Sequence, residues 1–316
     1  MVHPYRPVAA GLAALTQDNS HAERDLRDVL VLQEDVARDI ADAIRIKLTQ
    51  QEQARLSSAR PVNPEAQEAY LRGVYFWNKR TEQDLEKSVE YFNQAAQRAP
   101  SYVLPYAGLA NAYNILGAYG HYVPREIYPK ARSAALKALE LDDMLTEAHA
   151  ALGFYKSVYE WDQPDADREL LRAIELNPGY AFAHMWRGEV LSDMQRHSEA
   201  LGELDRAREL DPTSLMVSDQ RGWVLYMARR YDEAIAQIGR TIELEPRFAH
   251  AHCWLGKAYL QKGMLREGLT ELQEAASLPG GDSTLYAPWV GYAYALSGKR
   301  TEAVEVIERM KAQEHK

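Results

Sequence analysis

Residues Tyr231–Pro246 read YDEAIAQIGRTIELEP, and this stretch decides the fold. Ala234, Ile235, Ile238, Ile242 and Leu244 mostly follow one stripe of a helix. Pro246 then stops that helix, because proline lacks an N–H and clashes with the preceding turn. The same ending recurs at Pro178 and Pro212, so three prolines stand 34 residues apart. Reading back from each gives Ala173, Ala207 and Thr241, then Leu170, Leu204 and Ile238, then Ala166, Ala200 and Ala234. Further back lie Gly153, Gly188, Gly222 and Gly256, with Gly291 one register later. A fixed period with small residues at fixed offsets predicts an array of antiparallel helix pairs. Gly and Ala at each crossing let backbones meet while larger residues fill the holes. One such unit cannot bury its own apolar face, so stacking is obligatory.

The 316 residues are 46% hydrophobic and 26% charged, an ordinary soluble composition. Length alone suggests about two domains, but a repeat array grows without one central core. The net charge of −9 argues against nucleic-acid binding by this chain, and Lys and Arg form no run longer than a pair. Cys253 is the only cysteine, which excludes an intrachain disulfide and a multi-cysteine metal site. No apolar run approaches the length of a membrane span. Val8 to Thr16 resembles a weak signal-peptide core without a convincing cleavage site, so a cytoplasmic location is expected.

Residues 1–24 carry little pattern. Val36, Ile40, Ile44 and Leu48 step by four and predict an amphipathic helix within a helical segment at 25–60. Thr49 with Glu52 predicts a capping box and a short second helix. Asn63 as N-cap and Pro64 at the first helical position announce the array. Seven units are expected over 64–312, at about 64–100, 101–143, 144–178, 179–212, 213–246, 247–280 and 281–312. The first has an inter-helix loop about three residues too long, and the second carries the insertion LGAYGHYVPREIYP between its helices. The loop from Tyr119 to Pro129 is a candidate binding loop, although packing over the neighbouring unit is the simpler expectation. Trp161 sits in a turn and is expected to fold onto the adjacent repeat. No solvating helix follows the seventh unit, which predicts self-association through the uncapped C-terminal repeat or a capping partner.

This periodicity over 64–312 resembles the tetratricopeptide repeat (TPR) superfamily. The resemblance implies an all-α solenoid of about seven helix-turn-helix units wound into a right-handed superhelix. A second resemblance lies at the front. DLRDVLVLQEDVARDIADAIRIKLTQQEQARL, followed by ARPVNPEAQEAYLRGVYFWNKRT, is similar to the junction of bacterial multidomain proteins in which a TolB-like domain precedes a TPR array. In those proteins the upstream part is a winged-helix, protein-kinase or adenylate-cyclase domain. By that resemblance 25–60 corresponds to the last helices of a TolB-like domain, with the effector domain absent here. The chain would then be a regulatory or sensor half.

Chemistry-bearing motifs are lacking. No Gly-rich phosphate loop, kinase motif or H-E-x-x-H occurs. His250, His252 and Cys253 are too close along a helix to chelate well. His149, His184 and His252 share one repeat position and are expected to pack between the two helices of a unit. The plentiful Asp and Glu fall mostly in turns, and no pair stands out as acid and base. No catalytic residue, metal site or cofactor is therefore expected.

In a TPR array the first helix of each unit lines the concave surface. Counting from the glycine register places Phe154 there, then Phe182, Met185, Glu189 and Asp193. The next unit supplies Met216, Asp219, Trp223 and Tyr226, and the one after it His250 and Lys257. Exposed aromatics and Met carry interface energy, and the adjacent carboxylates favour a Lys or Arg on the ligand. A protein or peptide partner bound in that groove is the expected function, without catalysis, nucleic acid or membrane. The TPR domains that hold heat-shock chaperone tails use a Lys/Asn/Arg clamp for a terminal carboxylate. The matching positions here hold Ala107, Asn111 and Ala150, so that ligand class is not expected.

Overall fold

The computed structural model describes residues 63–119, 122–278 and 285–313. The segments read above as 1–24 and 25–60 lie outside them. Among the described residues fourteen α-helices and no strand occur, and the helices pair as hairpins. In chain order they are α1 (Pro64–Trp77), α2 (Glu82–Arg98), α3 (Leu104–Ala118), α4 (Pro124–Leu141), α5 (Thr146–Tyr155), α6 (Gln163–Leu176) and α7 (Ala181–Asp193). Then follow α8 (His197–Leu210), α9 (Leu215–Met227), α10 (Tyr231–Leu244), α11 (Ala249–Gln261), α12 (Leu265–Ser277), α13 (Ala287–Leu296) and α14 (Arg300–Gln313).

Local chemistry starts these helices where expected. Asn63 Oδ1 accepts from the backbone N–H of Glu65 at 2.9 Å, ahead of Pro64. Thr81 caps α2 through the N–H of Asp84 at 3.2 Å, and donates its hydroxyl to the Asp84 carboxylate at 2.7 Å. Each odd-numbered helix then crosses its even-numbered partner at the glycine register. A Cβ on Gly256 would lie 2.7 Å from Leu272 Cγ and 2.8 Å from the backbone oxygen of Gly268. On Gly222 it would collide with Ile238 Cγ1. The facing residues Leu170, Leu204, Ile238 and Leu272 are all fully buried, as are Ala166, Ala200 and Ala234.

Six of the seven hairpins turn on one described residue in the left-handed region. Arg80, Gln195 and Arg229 have φ near +60°, and Gly263 and Gly298 occupy the same place with φ of +75° and +72°. Trp161 belongs to this set, at φ +58°. It is 79% exposed, so it does not fold onto the adjacent repeat. The cause is visible in the spacing. Gly153 and Ala166 are 13 residues apart, whereas Gly188 and Ala200, and Gly222 and Ala234, are 12 apart. The additional residue widens the helix into a π-turn at Lys156–Glu160, and Trp161 caps that turn pointing outward. The expected insertion in the second unit is also shorter than the sequence suggests. Pro124 occupies the first turn of α4, where a missing N–H costs little, and Pro129 lies inside the same helix.

Candidate functional site

The concave face is built by the odd-numbered helices, but its two ends meet across it. Trp77, closing α1, packs edge-on against Phe182 at the start of α7, with ring centroids 5.1 Å apart. Phe182 continues to Trp186 at 5.7 Å, and Trp186 to Phe154 at 5.1 Å. The Arg80 guanidinium lies 3.6 Å from the Trp77 ring centroid. Burial lowers its pKa, while Tyr119 and Tyr180 act in the opposite direction. Tyr119, just past α3, donates its hydroxyl to Met216 Sδ at 3.6 Å and stacks on His250 at 6.3 Å. The first two hairpins thus reach over the concave face to the fourth, fifth and sixth.

Behind Tyr119 lies a charged interior. His250 Nδ1 sits 2.5 Å from Asp219 Oδ2, and Asp219 has no exposed surface. Glu189 is half-buried. Its pKa is pushed up to about 8, first by burial and then by the negative charges of Asp193 and Asp219. Burial likewise raises Asp193, although its residue is exposed at the rim. Lys257 is 7% exposed, and its Nζ lies 3.4 Å from the Trp254 ring centroid and 3.9 Å from that of Trp289. Burial lowers that amine to about 8, against the favourable charges of Cys253 and Asp219. Such a cation held on aromatic faces is stabilised by the ring quadrupoles. Cys253 is buried, which pushes its thiol up to about 12 and makes it inert.

These positions modify the expected groove. Phe154, Met185, Asp219 and Lys257 are packed inside rather than displayed; Trp186 lies against Phe154, His250 against Asp219, and Trp254 and Trp289 against Lys257. Phe182, Glu189, Met216, Trp223, Tyr226 and His250 remain half-buried, and Asp193 is exposed. Trp223 and Tyr226 gather around Trp254, at 6.4 and 5.4 Å. Arg80, Tyr119, Trp254 and Trp289 were not among the expected groove residues. Arg80 and Tyr119 fall in the two inter-helix connections that the sequence marks as overlong, which is the signal that points to them.

His250, His252 and Cys253 do not converge. His250 turns to Asp219, and His252 to Glu271 at 2.6 Å. Among the described residues no three His, Cys, Asp or Glu side chains are grouped to hold a metal ion. No described helix is long and apolar enough to cross a membrane.

A tetratricopeptide repeat family model matches residues 162–214 and 220–282. The fold is similar to that of a tetratricopeptide repeat protein from Parabacteroides merdae, at 16% identity and a TM-score of 0.52, over 79% of this chain and 93% of that one. It is also similar to a TPR protein of Thermus thermophilus, at 18% identity and a TM-score of 0.51, over 62% and 99% of the two chains. At these identities the likeness shows the fold alone. In sequence, 90 residues are 29% identical to the transcriptional regulator HilA of Salmonella typhimurium, covering 28% of this chain and 16% of the relative's length. The TolB-like context is not seen in these comparisons. The matched segments are tetratricopeptide repeats, and the stacked helix pairs carry the same all-α repeat fold through the described residues.

Proposed function

We propose that the array binds an extended or helical protein segment on its concave face, without turnover of its own. The carrying observation is the half-buried cluster Trp223, Tyr226 and Trp254 near Asp193, Asp219 and Glu189, the last held neutral near pH 7 until a cation beside it lowers its pKa. Large aromatics in a partly desolvated concavity supply interface energy, and the carboxylates favour a basic residue on an otherwise apolar partner. Trp223→Ala with Tyr226→Ala is expected to weaken a selected peptide by more than about 2 kcal/mol while helicity by circular dichroism stays intact. Unchanged affinity in the folded double variant would sink the proposal.

One observation favours a second reading. The likeness to HilA, a transcriptional regulator, supports a regulatory half of a larger signalling or transcriptional protein, acting through residues 25–60. Deleting residues 1–60 separates the two. Groove binding survives that deletion, whereas docking through the front segment is lost. Self-association fits the exposed Val304 and Ile307 of α14. Sedimentation that stays monomeric at high concentration would remove it. A cytoplasmic location accompanies either reading, and recovery of the protein in an envelope fraction would count against it.

A further inference from the structure

We propose that Asp219 is the anchor for a guanidinium group inside the concave face, an inference that rests on the groove-binding function above and names its ligand chemistry. The repeat register isolates this residue. Three positions before each glycine, the neighbouring units carry Ala150, Met185 and Cys253, all buried. Unit five carries Asp219 there, fully buried. Its contact, six positions before the next glycine, is His250, where the flanking units have Phe182, Met216 and Leu285. The column three before the glycine is apolar in the neighbouring units and is broken at Asp219, while the column six before it holds His250 here and Glu147 in unit three.

The carboxylate is incompletely served. His250 satisfies Oδ2, while Oδ1 is buried without a hydrogen-bond partner. A carboxyl oxygen withdrawn from water is costly unless its lone pairs are filled. The array does not need one here, since Met or Cys suffices in the adjoining units. Lys257 feels the charge of Asp219, but its ammonium is drawn onto Trp254 and Trp289 instead. The orphaned oxygen is therefore an acceptor kept for a donor from outside.

The surroundings choose the donor. Asp219 is bonded by the His250 ring, on which Tyr119 stacks while touching the Met216 thioether, and both Tyr119 and Glu189 are close enough to feel its charge. Flat and polarisable walls suit a planar, weakly hydrated cation better than a compact, strongly hydrated ammonium. A guanidinium also donates two parallel N–H groups, enough for Asp219 Oδ1 and the Glu189 carboxyl together. Entry displaces Tyr119 from Met216 and His250.

The test titrates the full chain calorimetrically with N-acetyl-argininamide and its neutral isostere N-acetyl-citrullinamide, in wild type and Asp219→Met, the residue that unit four carries. Wild type should prefer the arginine probe by at least about tenfold. Asp219→Met should lose that preference and unfold at a higher temperature than wild type, because an unsatisfied buried polar atom has been replaced by the packing residue of the register. No preference in wild type, or one that survives in Asp219→Met, overturns the inference. Ethylguanidinium binding as tightly as the arginine probe would identify a free guanidinium ligand, and weaker binding an arginine side chain of a protein segment. Both outcomes support the anchor. A random peptide library panned on the same chain separates this from the groove function. Peptides lost in the Trp223/Tyr226 variant but without arginine leave the groove standing and the anchor refuted. An arginine-probe preference with no selected peptide does the reverse.

Discussion

His252 lies between the two helices of its unit with both ring nitrogens engaged, Nδ1 at 2.6 Å from Glu271 Oε2 and Nε2 at 3.0 Å from the carbonyl oxygen of Pro246. His184 repeats this with Glu203 and Pro178, and His149 with Glu169 and Asp143. A carbonyl and a carboxylate are both acceptors, so the ring donates at both nitrogens only as the cation. The fifth unit replaces both partners at once. Ser218 stands in the histidine position and Gln237 in the glutamate position, joined at 3.0 Å.

A pH dependence follows from these pairs. The Glu271 hydrogen bond raises His252, against burial, with the Pro246 carbonyl adding to it. Burial lowers His149, but Glu169 and the Asp143 carbonyl outweigh it, so its pKa is raised too. A folded-state pKa above the unfolded value gives stability that is complete below about pH 6.5 and lost as pH rises through the folded pKa. The urea midpoint should therefore fall from about pH 6.5 upward. Installing the unit-five pair in unit six, His252→Ser with Glu271→Gln, should flatten part of that fall. An identical pH profile in the double variant would contradict the assignment.

Two glycines in helices should respond in opposite directions to alanine. Gly256→Ala drives a Cβ against the Gly268 backbone and Leu272, so it should destabilise by about 2 kcal/mol or more. Gly239, inside α10, has nothing within 4 Å of its Cβ position. Gly239→Ala should stabilise by about 0.5–1 kcal/mol through helix propensity alone. Chemical denaturation of both variants checks the pair.

The left-handed hairpin residue offers a gain in stability. Gly263 and Gly298 occupy it without strain, while Gln195 and Arg229 hold φ of +60° and +59°. Relieving the Cβ penalty, less the entropy of a freer unfolded chain, predicts that Gln195→Gly stabilises by roughly 0.5 kcal/mol. Replacing Gly263 by Ala should cost stability, and a thermal-shift series across the two positions would show it.

Coupling across the concave face should be measurable. A simple solenoid couples only adjacent units, yet Trp77 in the first hairpin packs on Phe182 in the fourth. A double-mutant cycle with Trp77→Ala and Phe182→Ala should return a coupling of about 0.5–1.5 kcal/mol. A value indistinguishable from zero would mean that the array is open there in solution.

The sequence by itself determined the unit. Its 34-residue spacing, the glycine opposite Leu170, Leu204, Ile238 or Leu272, and the closing prolines are local demands that any stacked helix pair must meet, and the structure meets them at those residues. The composition of the concave face was legible for the same reason, since Phe182, Glu189, Trp223 and Tyr226 sit at fixed offsets from the glycines. What only the tertiary structure decided is how far the array winds. Small rotations between units accumulate until Tyr119 reaches Met216, 97 residues away. No periodic signal encodes that sum. It is set by how side chains pack between every successive pair of units, and it turns Met185, Asp219 and Lys257 from a displayed surface into an enclosed, charged interior.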